Sequence, residues 1–292
     1  MTGIRDWLSL VKFSHSVFAL PFALQGAWLA AGGMPVIETL LWIVAAAVAA
    51  RTAAMAFNRL VDRSIDAANP RTAGREIPAG KVKPLAAGIL VLVAAAVFVL
   101  SAFALNPLAG KLSPVVLAVL LGYSLVKRVS WAAHLALGLA LGLAPLGAWI
   151  AVRGSFAGDL VPILCLAGAV LAWVAGFDLI YACQDAEFDA EVGLHSIPAR
   201  FGIARALVVS RCLHVVTIGL LLMVHSRANL GWIYLVSIGV AAALLAWEQS
   251  LVRADDLSRV DMAFFTLNGY LGIALFVGLA LDMGLLHTGG LV

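Results

Sequence analysis

Residues 160–189 read LVPILCLAGAVLAWVAGFDLIYACQDAEFD, an apolar run that ends in a cluster of acids. From 160 to 182 its only charged side chain is Asp178. About 20 apolar residues suffice to cross the hydrocarbon core of a bilayer. Similar runs recur along the 292-residue chain, in which 63% of residues are hydrophobic and 12% are charged. Soluble domains average about 45–50% apolar and 25% charged residues, so this composition excludes a soluble globular protein.

Nine such runs predict an all-α integral membrane protein with nine transmembrane helices. The predicted spans cover residues 14–32, 37–57, 85–105, 114–127, 131–151, 160–182, 205–225, 229–250 and 262–285. Because no soluble linker separates them, we expect a single domain over residues 1–292.

Basic residues are concentrated in alternate loops of this prediction. They precede the first helix and follow the second, fourth, sixth and eighth, whereas the opposite loops hold only Lys111, Arg153 and Arg227. Lys and Arg accumulate in cytoplasmic loops, so the N-terminus is predicted to be cytoplasmic. The two longest loops, about 58–84 and 183–204, fall on that side and hold nearly all the acids near the membrane. We therefore expect the chemistry at a mouth that faces the cytoplasm.

The first acidic motif is Asn58-x3-Asp62-x3-Asp66, which continues the second predicted helix. Four-residue spacing places these side chains on one helix face, and residues 69–70 (Asn-Pro) end the helix. Neighbouring carboxylates repel each other unless a cation lies between them. Because Mg²⁺ takes protein carboxylates together with water and substrate phosphate, the motif predicts a magnesium site. The alternative is a solvated helix end with charge pairs one turn apart.

The second acidic motif comprises Asp178, Tyr181, Asp185 and Asp189. On a continuous helix the three aspartates share one face, with Tyr181 among them. Asp178 lies deepest in the apolar run, where an ionisable side chain is a functional candidate by default. Its alternative role is a structural hydrogen bond to a neighbouring helix.

Basic side chains flank both motifs on the same predicted side of the membrane. Arg71 and Arg75 belong to residues 71–80 (RTAGREIPAG), and Lys127 and Arg128 end residues 123–128 (YSLVKR). Arginine and lysine suit charge-assisted contacts with a diphosphate. Anionic lipid headgroups are the alternative partner of the loop, and membrane anchoring is the alternative role of the Lys-Arg pair.

Together the two motifs resemble those of the UbiA superfamily of intramembrane aromatic prenyltransferases, over nearly the whole chain. The most specific parts are Asn58-x3-Asp62-x3-Asp66 and Tyr181-x3-Asp185-x3-Asp189. Supporting segments are residues 12–22 (KFSHSVFALPF), 71–80 and 123–128. The resemblance implies nine helices around a central cavity, Mg²⁺ as cofactor, a polyprenyl diphosphate donor and a location in the bacterial inner membrane.

Within the superfamily the chain is similar to the 4-hydroxybenzoate polyprenyltransferases of ubiquinone biosynthesis. Residues 69–78 (NPRTAGREIP) and 180–185 (IYACQD) resemble instead a subgroup linked to menaquinone made through futalosine. Arg59 also stands where ubiquinone-type enzymes often have an acid. The resemblance therefore leaves the acceptor open between a 4-hydroxybenzoate-like and a dihydroxynaphthoate-like acid.

The resulting hypothesis is Mg²⁺-assisted ionisation of the allylic C–O bond, followed by attack of the cation on the aromatic ring. Asp189 or a phosphate oxygen would take the ring proton. The expected metal ligands are Asn58, Asp62 and Asp66 for one ion and Asp185 and Asp189 for another. The expected substrate-binding residues are Asn58, Arg71, Arg75, Tyr123, Lys127, Arg128, Asp178 and Tyr181.

Two alternatives stay open. A secondary transporter also carries acids in membrane helices, although its site typically lies near the bilayer midplane at broken helices. A heme or chlorophyll prenyltransferase would share the superfamily but use a different acceptor. The expected partners are the two substrates and the lipid bilayer, and no nucleic acid.

Overall fold

The computed structural model describes residues 3–11 and 19–286. Within these ranges the chain is helical, and the β pairing consists of an isolated bridge between Arg253 and Asp256. The helices are α1 (Ile4–Leu10), α2 (Leu20–Ala31), α3 (Ile37–Val61), α4 (Arg63–Ala68), α5 (Pro84–Leu105), α6 (Pro107–Val126), α7 (Ala133–Arg153), α8 (Val161–Ala182), α9 (Ala186–Glu191), α10 (Ile197–Phe201), α11 (Ile203–Arg227), α12 (Trp232–Ser250) and α13 (Asn268–Leu286). A 3₁₀ turn (Cys183–Asp185) joins α8 to α9, and a π-helix (Met262–Leu267) leads into α13.

Eight helical segments are long and apolar enough to cross a membrane, which confirms the all-α membrane architecture. They correspond to α3, α5, α6, α7, α8 with its extension to Glu191, α11, α12 and the segment from Met262 to Leu285. The apolar helix α2 has 12 residues in the described part of the chain and is shorter than these. Part of the predicted first span, 14–32, lies outside the described residues.

The fourth span was predicted too short. Its predicted start at 114 is wrong, because α6 begins at Pro107 and carries Pro114 inside it. The Asn106 side chain caps the helix by accepting a hydrogen bond from Ala109 N at 2.8 Å. Proline is favoured in the first helical turn, and Pro107 occupies that place here, so α6 begins about two turns before the predicted start. Lys111 therefore belongs to a helix and not to a loop.

Helix α8 forms the centre of the bundle. Its side chains are buried over most of its length, and they pack against α7 on one side and α11 on the other. Trp173 and Phe177 belong to the largest apolar cluster, to which α2, α7, α11, α12 and α13 also contribute. Because α8 is enclosed by neighbours, the acids at its C-terminal end face protein rather than lipid.

A buried glycine sets the close approach of α7 to α8. A Cβ added to Gly138 would collide with the backbone carbonyl of Leu171, whereas a Cβ on Gly239 of α12 would meet no atom within 4 Å in the described part of the chain. We expect Gly138→Ala to force the helices apart and to cost about 1–3 kcal/mol in free energy of unfolding. The measurement is the thermal unfolding midpoint in detergent, with Gly239→Ala as the matched control. Equal midpoints for the two variants would contradict this packing.

Candidate active site

A cavity of about 520 Å³ lies between the C-terminal ends of α3, α6 and α8 and the N-terminal end of α7. Its wall contains nearly the whole predicted site: Asn58, Asp62, Asp66, Arg71, Arg75, Tyr123, Lys127, Asp178, Tyr181, Asp185 and Asp189. Arg128 lies outside the wall but reaches it, because its Nη2 is 3.1 Å from Asp62 Oδ1. Both acidic motifs and the basic segments thus meet at one place.

The first motif does not lie on one uninterrupted helix as predicted. Helix α3 ends at Val61 and α4 begins at Arg63, with Asp62 at the junction. The backbone bonds Asp62 N to Asn58 O (3.0 Å) and Asp66 N to Asp62 O (2.7 Å) keep the four-residue repeat through that junction. The three side chains therefore still point into the same cavity.

The second motif is divided among three elements. Asp178 and Tyr181 belong to α8, Asp185 ends the 3₁₀ turn, and Asp189 belongs to α9. All four line the cavity, although the predicted continuous helix is interrupted. Glu187, the acid between the last two aspartates, is exposed and is not part of the wall.

Asp62 is the most enclosed acid of the first motif, with 1% of its surface exposed. Its Oδ2 accepts from Lys127 Nζ at 2.6 Å and from Asn58 Nδ2 at 3.1 Å, and its Oδ1 accepts from Arg128. Asn58 Nδ2 also lies 3.3 Å from Ser124 Oγ. Removal of a carboxylate from water is costly unless it is paired. Here the cations of Lys127 and Arg128 and the amide of Asn58 pair it.

The other aspartates are paired with the arginine loop. Arg75 Nη1 lies 2.6 Å from Asp66 Oδ1, and Arg71 binds Asp185 through both Nε (2.9 Å) and Nη2. Arg71 Nη1 also donates to the Tyr181 hydroxyl at 2.8 Å. Burial alone would lower the pKa of Arg71, but Asp185 and Tyr181 together raise it above its ordinary value. The cavity thus carries interleaved carboxylates and cations.

The donor set suits Mg²⁺. Asp66 Oδ2 is buried and has no hydrogen-bond partner among the described residues, so an ion bound to it would displace no bond that the structure shows at that oxygen. In residues 3–11 and 19–286, no three His, Cys, Asp or Glu side chains converge closely enough to hold a metal unaided. An ion in this cavity would need water or substrate oxygens to complete its shell, as Mg²⁺ normally does.

Several cavity residues were not predicted from the sequence. Asn69 was recognised only as part of a helix end, yet its Nδ2 donates to Asp185 Oδ1 at 2.9 Å. His134, to which the sequence assigns no role, contacts Asp178. The one available signal was its position at the cytoplasmic start of a predicted helix, on the same side as the acidic motifs.

Aromatic rings form one wall of the cavity beside Tyr181. The ring of Phe264 lies 4.4 Å from that of Tyr181 and 5.1 Å from that of Phe177, and Phe265 lines the cavity next to it. Phe264 and Phe265 belong to the π-helix, whose carbonyls at Ala263 and Phe264 accept from Asn268 Nδ2. Such ring faces attract cations.

A second cavity of about 520 Å³ adjoins the first and is almost wholly apolar. Arg51, Tyr123 and Leu141 line both cavities, so the two meet there. The alanines of α3 give the second cavity much of its width: Ala46, Ala47, Ala50 and Ala54. A polar chamber therefore opens into an apolar one.

The supporting segment 12–22 is described only from residue 19 onward, so its first part lies outside the described residues. Of that segment, Ala19 lines the apolar cavity and Phe22 is buried against Trp173 at 4.9 Å between ring centroids.

Comparison with known proteins agrees with this arrangement. The model of the UbiA prenyltransferase family matches residues 19–270. A 4-hydroxybenzoate octaprenyltransferase of Aeromonas hydrophila is 32% identical over 89% of this chain and 88% of its own length. One from Azotobacter vinelandii is 30% identical over 96% of this chain and 94% of its own length.

Solved structures show the same fold. The apo structure of a UbiA homolog from Aeropyrum pernix K1 is 37% identical, covers 92% of this chain and 98% of its own, and superposes with a TM-score of 0.84. A UbiA homolog from Archaeoglobus fulgidus bound to DMAPP and Mg²⁺ is 17% identical, covers 96% and 99% of the two chains, and has a TM-score of 0.71, a likeness of fold. These likenesses favour the prenyltransferase interpretation over the transporter. The chain belongs to the UbiA prenyltransferase family and is a polyprenyltransferase, as the sequence resemblance predicts.

Proposed function

We propose that this enzyme transfers a polyprenyl group from a prenyl diphosphate to an aromatic acid, with Mg²⁺, in quinone biosynthesis. The observation that carries the proposal is the pair of joined cavities, one lined by carboxylates and cations and the other apolar. A prenyl diphosphate has the same division between a charged head and an apolar tail. The names of the curated relatives support 4-hydroxybenzoate as one candidate acceptor, and a dihydroxynaphthoate remains the other.

In this proposal Asn58, Asp62 and Asp66 would hold one Mg²⁺, and Asp185 and Asp189 a second. Bound there, Mg²⁺ would neutralise diphosphate charge and make the diphosphate a better leaving group.

Arg71, Arg75 and Lys127 would bind the diphosphate. They now contact Asp185, Asp66 and Asp62, respectively. When the substrate enters, these side chains would exchange their carboxylate partners for phosphate oxygens, because charge-assisted hydrogen bonds to phosphate have the same geometry.

The apolar cavity would hold the first part of the tail and exclude water from the allylic carbon. Water would otherwise capture the cation before the acceptor could react. Tyr181, with Phe264 beside it, would present ring faces to that cation.

Arg51 favours an acceptor with a carboxylate. It lies where the two cavities meet, its Nε is buried without a hydrogen-bond partner, and it forms no ion pair within the described part of the chain. Arg51 is partly buried, and removal of a guanidinium from water without an anion is costly, so an aromatic acid bound at this junction would supply the missing partner.

We also propose a single domain over residues 1–292, in which the segment around α2 supplies a ninth membrane crossing. The N-terminus and the active site would face the cytoplasm, since the arginine loop and Lys127 lie at the cavity. The bacterial relatives support a location in the inner membrane.

The proposal is tested with purified protein in nanodiscs. Prenyl diphosphates of several lengths are offered with 4-hydroxybenzoate or a dihydroxynaphthoate, and products are identified by mass spectrometry. We expect one acid to be prenylated, and we expect EDTA to abolish the product and added Mg²⁺ to restore it. Failure to prenylate any aromatic acid under these conditions would rule the proposal out.

A further inference from the structure

Asp178 is a cavity carboxylate whose partner is a histidine rather than a lysine or arginine. Its Oδ2 lies 2.7 Å from Nδ1 of His134, and the side chains are 23% and 5% exposed, respectively. Asp62, Asp66 and Asp185 are instead bound by lysine or arginine. Asp178 is thus set apart from the acids that surround the diphosphate.

The surroundings of His134 fix the direction of this hydrogen bond. Its Nε2 is buried and has no hydrogen-bond partner in residues 3–11 and 19–286. If Nε2 carried a proton, in the neutral or in the doubly protonated ring, a buried N–H would be left unpaired. The neutral ring with its proton on Nδ1 avoids this cost. His134 therefore donates, and Asp178 accepts as a carboxylate.

The second oxygen of Asp178 is available to a ligand. Oδ1 makes no hydrogen bond within the described residues and is not one of the buried unpaired atoms, and Asp178 belongs to the cavity wall. Arg51 and Asp178 both line this cavity, as does Tyr123. A cation and a carboxylate therefore line the same cavity, an arrangement complementary to an aromatic ring with a carboxylate on one side and a hydroxyl on the other.

We propose that Asp178, positioned by His134, binds the ring hydroxyl of the acceptor and accepts its proton as the new bond forms. The inference rests on the proposed function, because it requires a hydroxylated aromatic acceptor. Asp178 is the catalytic residue in this step. His134 is a positioning residue, since its hydrogen bond fixes which oxygen of Asp178 faces the cavity.

The allylic C–O bond of the donor breaks, and the ring carbon beside the hydroxyl bonds to the allylic carbon. The hydroxyl proton moves to Asp178 Oδ1, which leaves a neutral ring ketone. The substituted ring carbon then loses its proton to an oxygen of the departing diphosphate, while Asp178 returns its own proton to the ring oxygen. The carboxylate is regenerated, and the net proton leaves with the diphosphate.

The first test replaces Asp178 by asparagine, which keeps the shape but cannot take a proton. We expect kcat for transfer to fall about 10²-fold, a typical contribution of acid–base catalysis. Donor ionisation, followed as ¹⁸O scrambling from the bridging to the non-bridging position of the diphosphate, should persist. An acceptor with a more acidic hydroxyl, 3-fluoro-4-hydroxybenzoate or the corresponding fluorinated naphthoate, should reduce the difference in kcat between Asp178→Asn and wild type, because its proton is lost more easily without a base. Asp255→Asn, an exposed acid outside the cavity, is the matched control.

The second test uses two replacements of His134. The amide nitrogen of asparagine overlays Nδ1 of histidine and can donate to Asp178, whereas leucine cannot. His134→Leu should lower kcat about tenfold or more and raise the KM of the acceptor, while His134→Asn should stay within about threefold of wild type. Elution volume and thermal midpoint establish that each variant is folded.

Three results would overturn the inference. The first is wild-type transfer by Asp178→Asn. The second is loss of ¹⁸O scrambling together with transfer, which would place Asp178 in the diphosphate site and leave the proposed function intact. The third is equal behaviour of His134→Leu and His134→Asn. Failure of the wild-type protein to prenylate any acceptor would instead overturn the proposed function itself.

Discussion

Replacement of Asp62 by asparagine should reduce prenyl transfer by about 10³-fold or more and raise the Mg²⁺ concentration needed for half-maximal activity. A metal ion stabilises the charge of the transition state by several kcal/mol, and each 1.36 kcal/mol is tenfold in rate, so loss of its ligand produces an effect of about that size. Steady-state rates at increasing Mg²⁺ measure both changes.

The folded state should survive this replacement. Asp62 is almost fully buried, but the side chains of its partners Lys127 and Arg128 are 31% and 38% exposed, so water can solvate them once the carboxylate is gone. Asparagine also keeps a polar side chain that can hydrogen-bond Asn58. The matched control is Glu187→Gln, an exposed acid beside the second motif that does not line the cavity. Wild-type activity in Asp62→Asn, or an equal loss in Glu187→Gln, would contradict the metal-site assignment.

The sequence predicts the helices well because a membrane span must satisfy its backbone internally and needs about 20 apolar residues to do so. The predicted spans 37–57, 85–105 and 160–182 correspond to α3, α5 and α8. The start of α6 was missed because Asn106 acts from outside the apolar run, through a cap and through hydrogen bonds to the carbonyls of Ile150 and Ala151. Such contacts between distant segments leave no periodic signal.

At the site, too, local patterns are predictable from the sequence and contacts between distant segments are not. Four-residue spacing is local, so it predicted that Asn58, Asp62 and Asp66 lie together. The partner of each acid is not local: Arg71 and Asp185 are 114 residues apart, and His134 and Asp178 are 44 apart. Only the packing of α3, α7 and α8 determines these pairs. The shape of the apolar cavity is likewise determined by helix packing. In the sequence, the alanines that leave this space cannot be distinguished from the other apolar residues of a membrane helix.

That cavity leads to the second large expected effect, on the length of the donor that the enzyme accepts. Gly147 of α7 lines the apolar cavity, and a Cβ added there would meet no atom of the described residues within 4 Å. Gly147→Phe would therefore place its ring in the space proposed for the prenyl tail, without a backbone collision. A tail displaced by the ring can still enter lipid. The main cost to the transfer reaction is therefore the steric cost of overpacking, about 1–3 kcal/mol. At its upper end this cost corresponds to roughly 10²-fold in rate.

We expect Gly147→Phe to lower transfer from octaprenyl diphosphate by about 10²-fold and transfer from dimethylallyl diphosphate by no more than about threefold. For transfer from octaprenyl diphosphate, the rate of Gly147→Ala should be close to wild type and that of Gly147→Leu intermediate. The larger the side chain, the more of the cavity volume it fills and the less room it leaves for the donor tail. Competition between donors of different length, read by mass spectrometry of the products, measures the shift. Gly239→Phe, an exposed helical glycine outside both cavities with equally open space, should leave the preference unchanged. If all donor lengths lose activity equally in Gly147→Phe, the apolar cavity does not hold the tail.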